Sequence, residues 1–480
     1  MDGKIRIIPG SPVFLQYYVP FRFNDDRFRE ISGRFASEAQ DGTALWQKAA
    51  FPIDNTTVFY DHVLSMMNVR ENGNSVCQSW KRLRPEGSRY MFLCDKDEEI
   101  RFSLSEIYVH LFKAGTGFLS YQVVLEDGAV QDSGQLITLQ CRLKKLNRKD
   151  KALWIFDETS AGEKPDGQAG PSSWKQVRLG RKIAELLPEG ISPEVEFFSA
   201  ADKFPIPAAA LMFSYLCYDC EDRDRLREAA VHMAMGFDLT NKQSEETIRS
   251  CHELASNVYF YVSQNGCAIS VNPNELNRDF FVNHSPAAKY NFILFILLYQ
   301  HCSLLNFTMR LCAGFPSDSR AYLGNADYAD KMQDFMTDVD TFLLKNDIAT
   351  VSHVHFHNYF YAVSRKALNI EEDKQALRSG FDSLSGIQKS HQYQDIQEKQ
   401  EKQNHRINII AIFLAVLALL PEFCDLDFTA RIITFFTKGW SALKPNEQLS
   451  VGVFFTIFAT VVILIVFLLK KQRPGDKRRK

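Results

Sequence analysis

Four short constellations in this sequence have residue types and spacings that could do chemistry. Gly115 and Gly117, in Lys113-Ala-Gly-Thr-Gly117, could offer backbone amides to a phosphate. Neither a Gly-Lys-Ser/Thr nor a following helix completes such a loop, so a hairpin turn is the better account. Cys217 and Cys220 have the spacing of a thiol redox pair or half a zinc site, but no second such pair exists and the surroundings read as one apolar helix. His353, His355 and His357 would share one face of a strand, or two of them one face of a helix. Without an acidic or cysteine partner nearby, they read better as surface or core histidines. The fourth group, Asn404, Asn408, Ile412, Ala415, Leu419 and Glu422, falls on one face at helical spacing. An asparagine at one mouth, small or aliphatic residues between and a carboxylate at the other mouth suit a cation path with a hydrophobic gate. The plainer alternative is that Asn408 bonds a neighbouring helix. There is no Ser/His/Asp elbow, no HExxH and no paired-carboxylate motif, so nothing supports an enzyme, and no metal site or resident cofactor is expected.

That fourth group must be positioned by the elements around it. Val451 to Leu469 is an unbroken apolar run whose only hydroxyl residues, Thr456 and Thr460, can bond back to a helix backbone. It is long enough to cross a bilayer. Lys470, Lys471, Arg473, Lys477, Arg478, Arg479 and Lys480 follow, and such a cluster fixes that end on the cytoplasmic side. The preceding segment, 407–426, is less clear, because its cleanest run, Ile409 to Leu420, has the length of a core helix. Arg406, Lys402 and Lys399 flank its inner end, Glu422 and Asp425 its outer end, and the second span needs a partner to return the chain. Met1 to Gly10 lacks the apolar core of a signal peptide. Two spans with both termini in the cytoplasm are therefore expected, with one span plus an interfacial helix as the alternative. The link 427–450 holds Phe428, Ile432, Ile433, Phe435, Phe436 and Trp440 around Arg431 and Lys438, as an interfacial or re-entrant helix would.

Composition agrees. A chain of 480 residues with 45% hydrophobic side chains has room for two or three domains, most of the mass in water. The net charge of −2 hides an asymmetry: the tail from Lys470 holds seven basic residues and one Asp, leaving 49 basic against 57 acidic side chains, −8, elsewhere. A mildly acidic body is a poor nucleic-acid binder, and the basic tail reads as a topology and lipid-headgroup signal. The ten cysteines are scattered, without a disulfide framework.

Upstream, an α+β cytoplasmic domain is expected, an antiparallel sheet followed by a helical layer. Residues 1–156 read as a β-rich sensor part: short strands or edges at Lys4 to Ile8 and Val13 to Phe23, broken by Pro9, Pro12 and Pro20, helical spacing at Phe28 to Phe35 and Phe59 to Val69, then a hairpin. The hairpin joins Ile107 to Phe112 with Phe118 to Leu125, and Leu136 to Leu143 reads as a further strand. Gly, Pro, Ser and acidic residues make 157–173 a flexible loop. Residues 174–371 read as helical: Trp174 to Leu187, Ala208 to Cys220, Glu221 to Met235, and a buried helix from Tyr290 to Leu311. From Glu372 to Arg406 no proline interrupts a run of helix formers. With the first span this stalk makes one helix on the order of 70 Å long at about 1.5 Å per residue. Leu377, Phe381, Leu384, Gln388 and His391 space like a coiled-coil seam that turns polar. That suits a wide bundle around a wet centre, or a solvated helix against its own domain.

A cytoplasmic α/β domain, a long helix feeding a first span, a short outer link and a second span ending in a basic tail resemble the CorA family of membrane proteins. The sharpest local piece is Leu420-Pro421-Glu422-Phe423, similar to the Met-Pro-Glu-Leu of CorA magnesium channels. The Gly-Met-Asn motif that selects hydrated magnesium in that family is missing from Leu414 to Leu419, and the link is longer than the family's. Tyr299-Gln300 and the hairpin domain look more like the divergent CorA-like proteins encoded beside type III CRISPR systems. That resemblance implies a homo-oligomeric, pentameric effector of the inner membrane in antiviral defence. It also implies gating by a small nucleotide second messenger, such as an adduct of S-adenosylmethionine and AMP, with no binding residues carried over. A constitutive divalent-cation transporter and a membrane-anchored scaffold are the competing expectations.

Overall fold

The structure is a computed structural model that describes residues 4–40, 45–54, 56–69, 75–83, 87–94, 99–126, 128–147, 153–156, 174–188, 191–198, 206–241, 243–275, 277–314, 326–419 and 426–471. The flexible loop expected at 157–173 and the basic tail from 472 onward lie outside the described residues. Two compact units divide the chain, Met1–Ser383 and Leu384–Lys480.

The first unit is built on one sheet of fourteen strands among the described residues. In chain order these are β1 (Arg6–Ile7), β2 (Phe14–Arg22), β3 (Trp46–Ala49), β4 (Cys77–Arg82), β5 (Arg89–Leu93), β6 (Glu99–Phe112), β7 (Thr116–Leu125), β8 (Leu153–Phe156), β9 (Trp174–Gln176), β10 (Glu196–Phe197), β11 (Leu211–Asp219), β12 (His252–Ala255), β13 (Val258–Ser263) and β14 (Gly266–Val271). Its helices are α1 (Phe28–Gln40), α2 (Asp61–Met66), α3 (Ser133–Leu143), α4 (Leu179–Glu185), α5 (Arg223–Met235), α6 (Glu245–Arg249), α7 (Ala287–Gly314), α8 (Ala326–Asn346) and α9 (His355–Ala367). α10 (Ile370–Leu419) begins here, and α11 (Leu426–Lys438) and α12 (Pro445–Lys471) belong to the second unit.

The spine of the sheet runs β12-β13-β14-β11-β2-β7-β6-β5-β8-β9. Its pairs are antiparallel except β11 with β14, where Met212–Cys217 runs parallel to Gly266–Val271. The short or edge strand expected at Val13 to Phe23 is instead the nine-residue centre of the sheet: β2 pairs with β11 on one side and β7 on the other. Pro20 sits where the pairing with β11 has stopped at Tyr18 and the short β10 takes over: its carbonyl accepts from Phe198 N–H at 3.3 Å, and its missing donor forgoes only the reciprocal bond at the end of that two-residue strand. Side chains alternate across β2: Leu15, Tyr17, Val19 and Phe21 enter one core with α1, α3, α4 and α5. Phe14 and Tyr18 enter the other with α2, α7, α8, α9 and the root of α10. The result is a sheet covered by helices on both faces.

The expected antiparallel sheet followed by a helical layer is thus corrected to a mixed sheet whose strands continue to Val271. Ala208 to Cys220 is not a helix but β11, because it is buried on both faces and carries no period-two alternation to mark it as a strand. Trp174 to Leu187 opens with β9 and only then becomes α4. Leu136 to Leu143 is not a strand but lies in α3: Asp132 Oδ1 accepts from Gln135 N–H at 2.9 Å, and Leu136, Leu139 and Leu143 fall on one buried helical face. The β6–β7 hairpin stands where expected, longer at its first strand and bulged between Ser105 and Tyr108. α7 is long and apolar enough to cross a membrane, yet 78% of its apolar stretch is buried inside the protein, which makes it a core helix.

Candidate functional site

α10 joins the domain to the apolar end of the chain. It is one helix of 50 residues, about 75 Å long at about 1.5 Å per residue. Its root is made of core residues: Ile370, Leu377 and Phe381 are buried, and Phe381 lies 5.5 Å from Phe335 of α8, ring to ring. The first two residues of the expected coiled-coil seam, Leu377 and Phe381, therefore pack on their own domain. The side chains of Leu384, Gln388 and His391 lie outside the described residues.

A charged clasp holds this root. Asn369, left-handed at φ 53°, turns the chain from α9 into α10, a conformation that asparagine tolerates. Arg365 of α9 donates to Asp347 at 2.6 Å, to the Ile348 carbonyl at 2.8 Å and to Glu371, while Lys374 of α10 donates to Asp347 at 2.7 Å and to Glu371 at 3.3 Å. Burial works to raise the Asp347 carboxyl, but hydrogen bonds from Lys374 and Arg365 outweigh it and hold the group below its usual range. Beneath the clasp, Gln300 of α7 donates to the Asn346 carbonyl at 2.6 Å, and the Tyr361 hydroxyl donates to the Ile348 carbonyl at 2.9 Å. His301 of α7 sits 3.2 Å from Asp373 in the first turn of α10. Burial lowers the His301 pKa, and Asp373 opposes that shift. Single-residue periodicity gave no sign of this clasp, since its residues come from three segments. The one local signal is Glu371, Glu372 and Asp373 in the first turn of α10, where carboxylates suit the helix dipole.

At the other end of α10, Asn404, Asn408, Ile412, Ala415 and Leu419 all lie on the helix, within about 80° of arc at 3.6 residues per turn. Asn404 and Asn408 are exposed, the side chains of Ile412, Ala415 and Leu419 are outside the described residues, and so is Glu422 entirely. The described helix ends at Leu419, and Leu426, the expected last residue of the first span, is instead the first of α11.

The other three constellations sit in structural settings. Gly115, at φ 72°, closes the β6–β7 turn: its carbonyl accepts from Phe23 N–H at 2.9 Å, and Asn306 of α7 donates to Ala114 O at 3.1 Å. A Cβ at Gly117 would run into the Phe21 ring. Cys217 is buried in β11, its thiol pushed up to about 11 by burial and facing the Phe281 carbonyl, while Cys220 points to the Asp222 carbonyl. The apolar helix expected around this pair is therefore a strand and its end. His355 and His357 lie in the first turn of α9 and His353 just before it. His357 is buried with Nδ1 2.9 Å from Ser352 Oγ, and His353 stands against Tyr60 at 4.2 Å. Among the described residues no three His, Cys, Asp or Glu side chains group as metal ligands. Sequence reading also missed a buried histidine, His110, held between Ser79 at 2.8 Å and Ser120 at 3.1 Å. Comparison with known protein families, with curated proteins and with solved structures finds no match to this chain.

Proposed function

We propose that this chain is a CorA-like membrane channel of antiviral defence, a homo-oligomer, pentameric by that resemblance, whose domain senses a small nucleotide second messenger and opens a pore in the inner membrane. The observation that carries the reading is the continuity of α10, which is core at Leu377 and Phe381 and ends in the apolar run from Ile409 to Leu419. α12, 27 residues over the apolar stretch from Val451, supplies the second element of a membrane hairpin. In this reading Asn404, Asn408, Ile412, Ala415, Leu419 and Glu422 line the path, and ligand binding biases the packing of α10 so that the ring at Ile412 and Leu419 widens and wets.

The test is ion and dye release from vesicles holding the full chain, with and without adenylate second messengers, S-adenosylmethionine-AMP adducts among them. Release only with a messenger is the expected result, and Leu419→Asn should leak without one. Metal flux without any messenger would replace this reading with a transporter. No flux from either protein would leave a membrane-anchored scaffold.

A further inference from the structure

α11 has two apolar sides, one packed on α12 and the other largely exposed, touching α12 only where Phe436 meets Phe455 with ring centroids 6.1 Å apart. Phe428, Ile432 and Phe435 turn toward α12, where Phe428 meets Phe454 and Phe435 meets Phe455, each with ring centroids 5.4 Å apart. One step around the helix, Ile433 and Phe436 are 59% and 72% exposed, and Trp440, just past the end of the helix, is 46% exposed. Asp427, Arg431, Thr434, Thr437 and Lys438 occupy the remaining arc, so the helix has a polar back and a wide apolar side in which Thr429 is the one polar residue, between Phe436 and Ile433.

On α12, Leu449, Val453 and Ile463 are exposed on one side of the helix and Phe458 on the opposite side. Apolar exposure on opposite sides of α12 favours lipid over a second copy as the cover, because a bilayer surrounds a span on every side and the apolar run of α12 is of bilayer-spanning length. The charges favour lipid as well: Arg431, Lys438 and Lys444 stand against Asp427 and Glu447, and Glu447 lies 3.9 Å from Arg431. That leaves exposed lysines beside an aromatic edge, the arrangement of a helix lying at headgroup depth.

We propose that α11 is a lipid-binding interfacial helix, with Ile433, Phe436 and Trp440 among the outer ends of the acyl chains and Lys438 and Lys444 at the level of anionic lipid phosphates. The proposal rests on α12 being a membrane span. The full chain and its Trp440→Phe variant are reconstituted in phosphatidylcholine vesicles containing phosphatidylglycerol, with acyl chains brominated close to the headgroup. The difference in emission between the two proteins is the signal of Trp440, since Trp46, Trp80, Trp154 and Trp174 are common to both. It should fall about twofold or more in brominated vesicles and resist aqueous iodide. A signal quenched by iodide and not by lipid places the residue in water, and one protected from both places it under protein; either overturns the proposal. A carbonate wash separates the two layers of the argument. Release of the chain from the vesicles removes the span and this proposal together, whereas a retained chain with unquenched Trp440 removes only the proposal.

Discussion

His110 shows what a single side chain contributes to this sheet. It is buried beneath Phe51 and Phe295, its two ring nitrogens engaged by Ser79 and Ser120, and burial pushes its pKa down to about 3. No carboxylate faces it in that network, so the arrangement holds a neutral imidazole rather than activating a nucleophile. The pH dependence follows from the direction of the shift. Above the unfolded value near 6.5 both states are neutral and the group contributes nothing to pH dependence. As pH falls below that, the unfolded chain takes up a proton that the folded chain refuses, and stability is lost down to the folded value. The loss is about 1.4 kcal/mol per pH unit in that window. His357, pushed down to about 4 by burial and Lys289, adds to the same slope. Between pH 6 and 4, about the window set by these values, chemical denaturation of His110→Asn should show a shallower fall of stability than the parent chain. An unchanged slope would mean that His110 is not held neutral.

At the scale of elements, what the sequence made legible depended on how many faces of an element are buried. The β6–β7 hairpin and α7 carried their signals in turn glycines between β-branched and aromatic runs and in an apolar run, and they stand close to where those signals put them. β11 did not, because a strand between two others and under helices on both faces is apolar throughout, like the interior of a helix. The Asn404-to-Leu419 face was legible as spacing on a helix, whereas the clasp at the root of α10 was not: its residues are placed together only by the fold. The clasp makes its own prediction. Asp347→Ala leaves Lys374 and Arg365 sharing Glu371 as their carboxylate, with Lys374 nearly buried. A cost of about 1–2 kcal/mol is expected, less than for a fully buried pair because Asp347 is half exposed. Hydrogen exchange should quicken in the first turns of α10 and not at β2. Parent-like exchange at the root would show that apolar packing of Leu377 and Phe381 alone holds it.

At the scale of the whole chain, the two compact units share a single covalent element, and the proposed function stands or falls on whether that element works as one rod. Between the root and the apolar end, Tyr393 and Ile396 are 69% and 51% exposed, and the described side chains around them are exposed as well, so α10 there rests on its own hydrogen bonds. Such a stretch is the place to interrupt the rod without touching the core of the first unit or the apolar end of the helix. Proline at Ile396 removes one backbone donor and clashes with the preceding turn, at about 3 kcal/mol in a helix interior. Because no core contact is lost, thermal unfolding of the first unit should match the parent chain, and membrane retention should match it too. Messenger-triggered release from vesicles should be abolished in Ile396→Pro while Leu419→Asn combined with it still leaks, since the pore end is then open without instruction from the domain. If Ile396→Pro responds to the messenger as well as the parent does, the domain does not act on the pore through α10. A leaking double variant beside a silent single one is the pattern that only a transmitting helix produces.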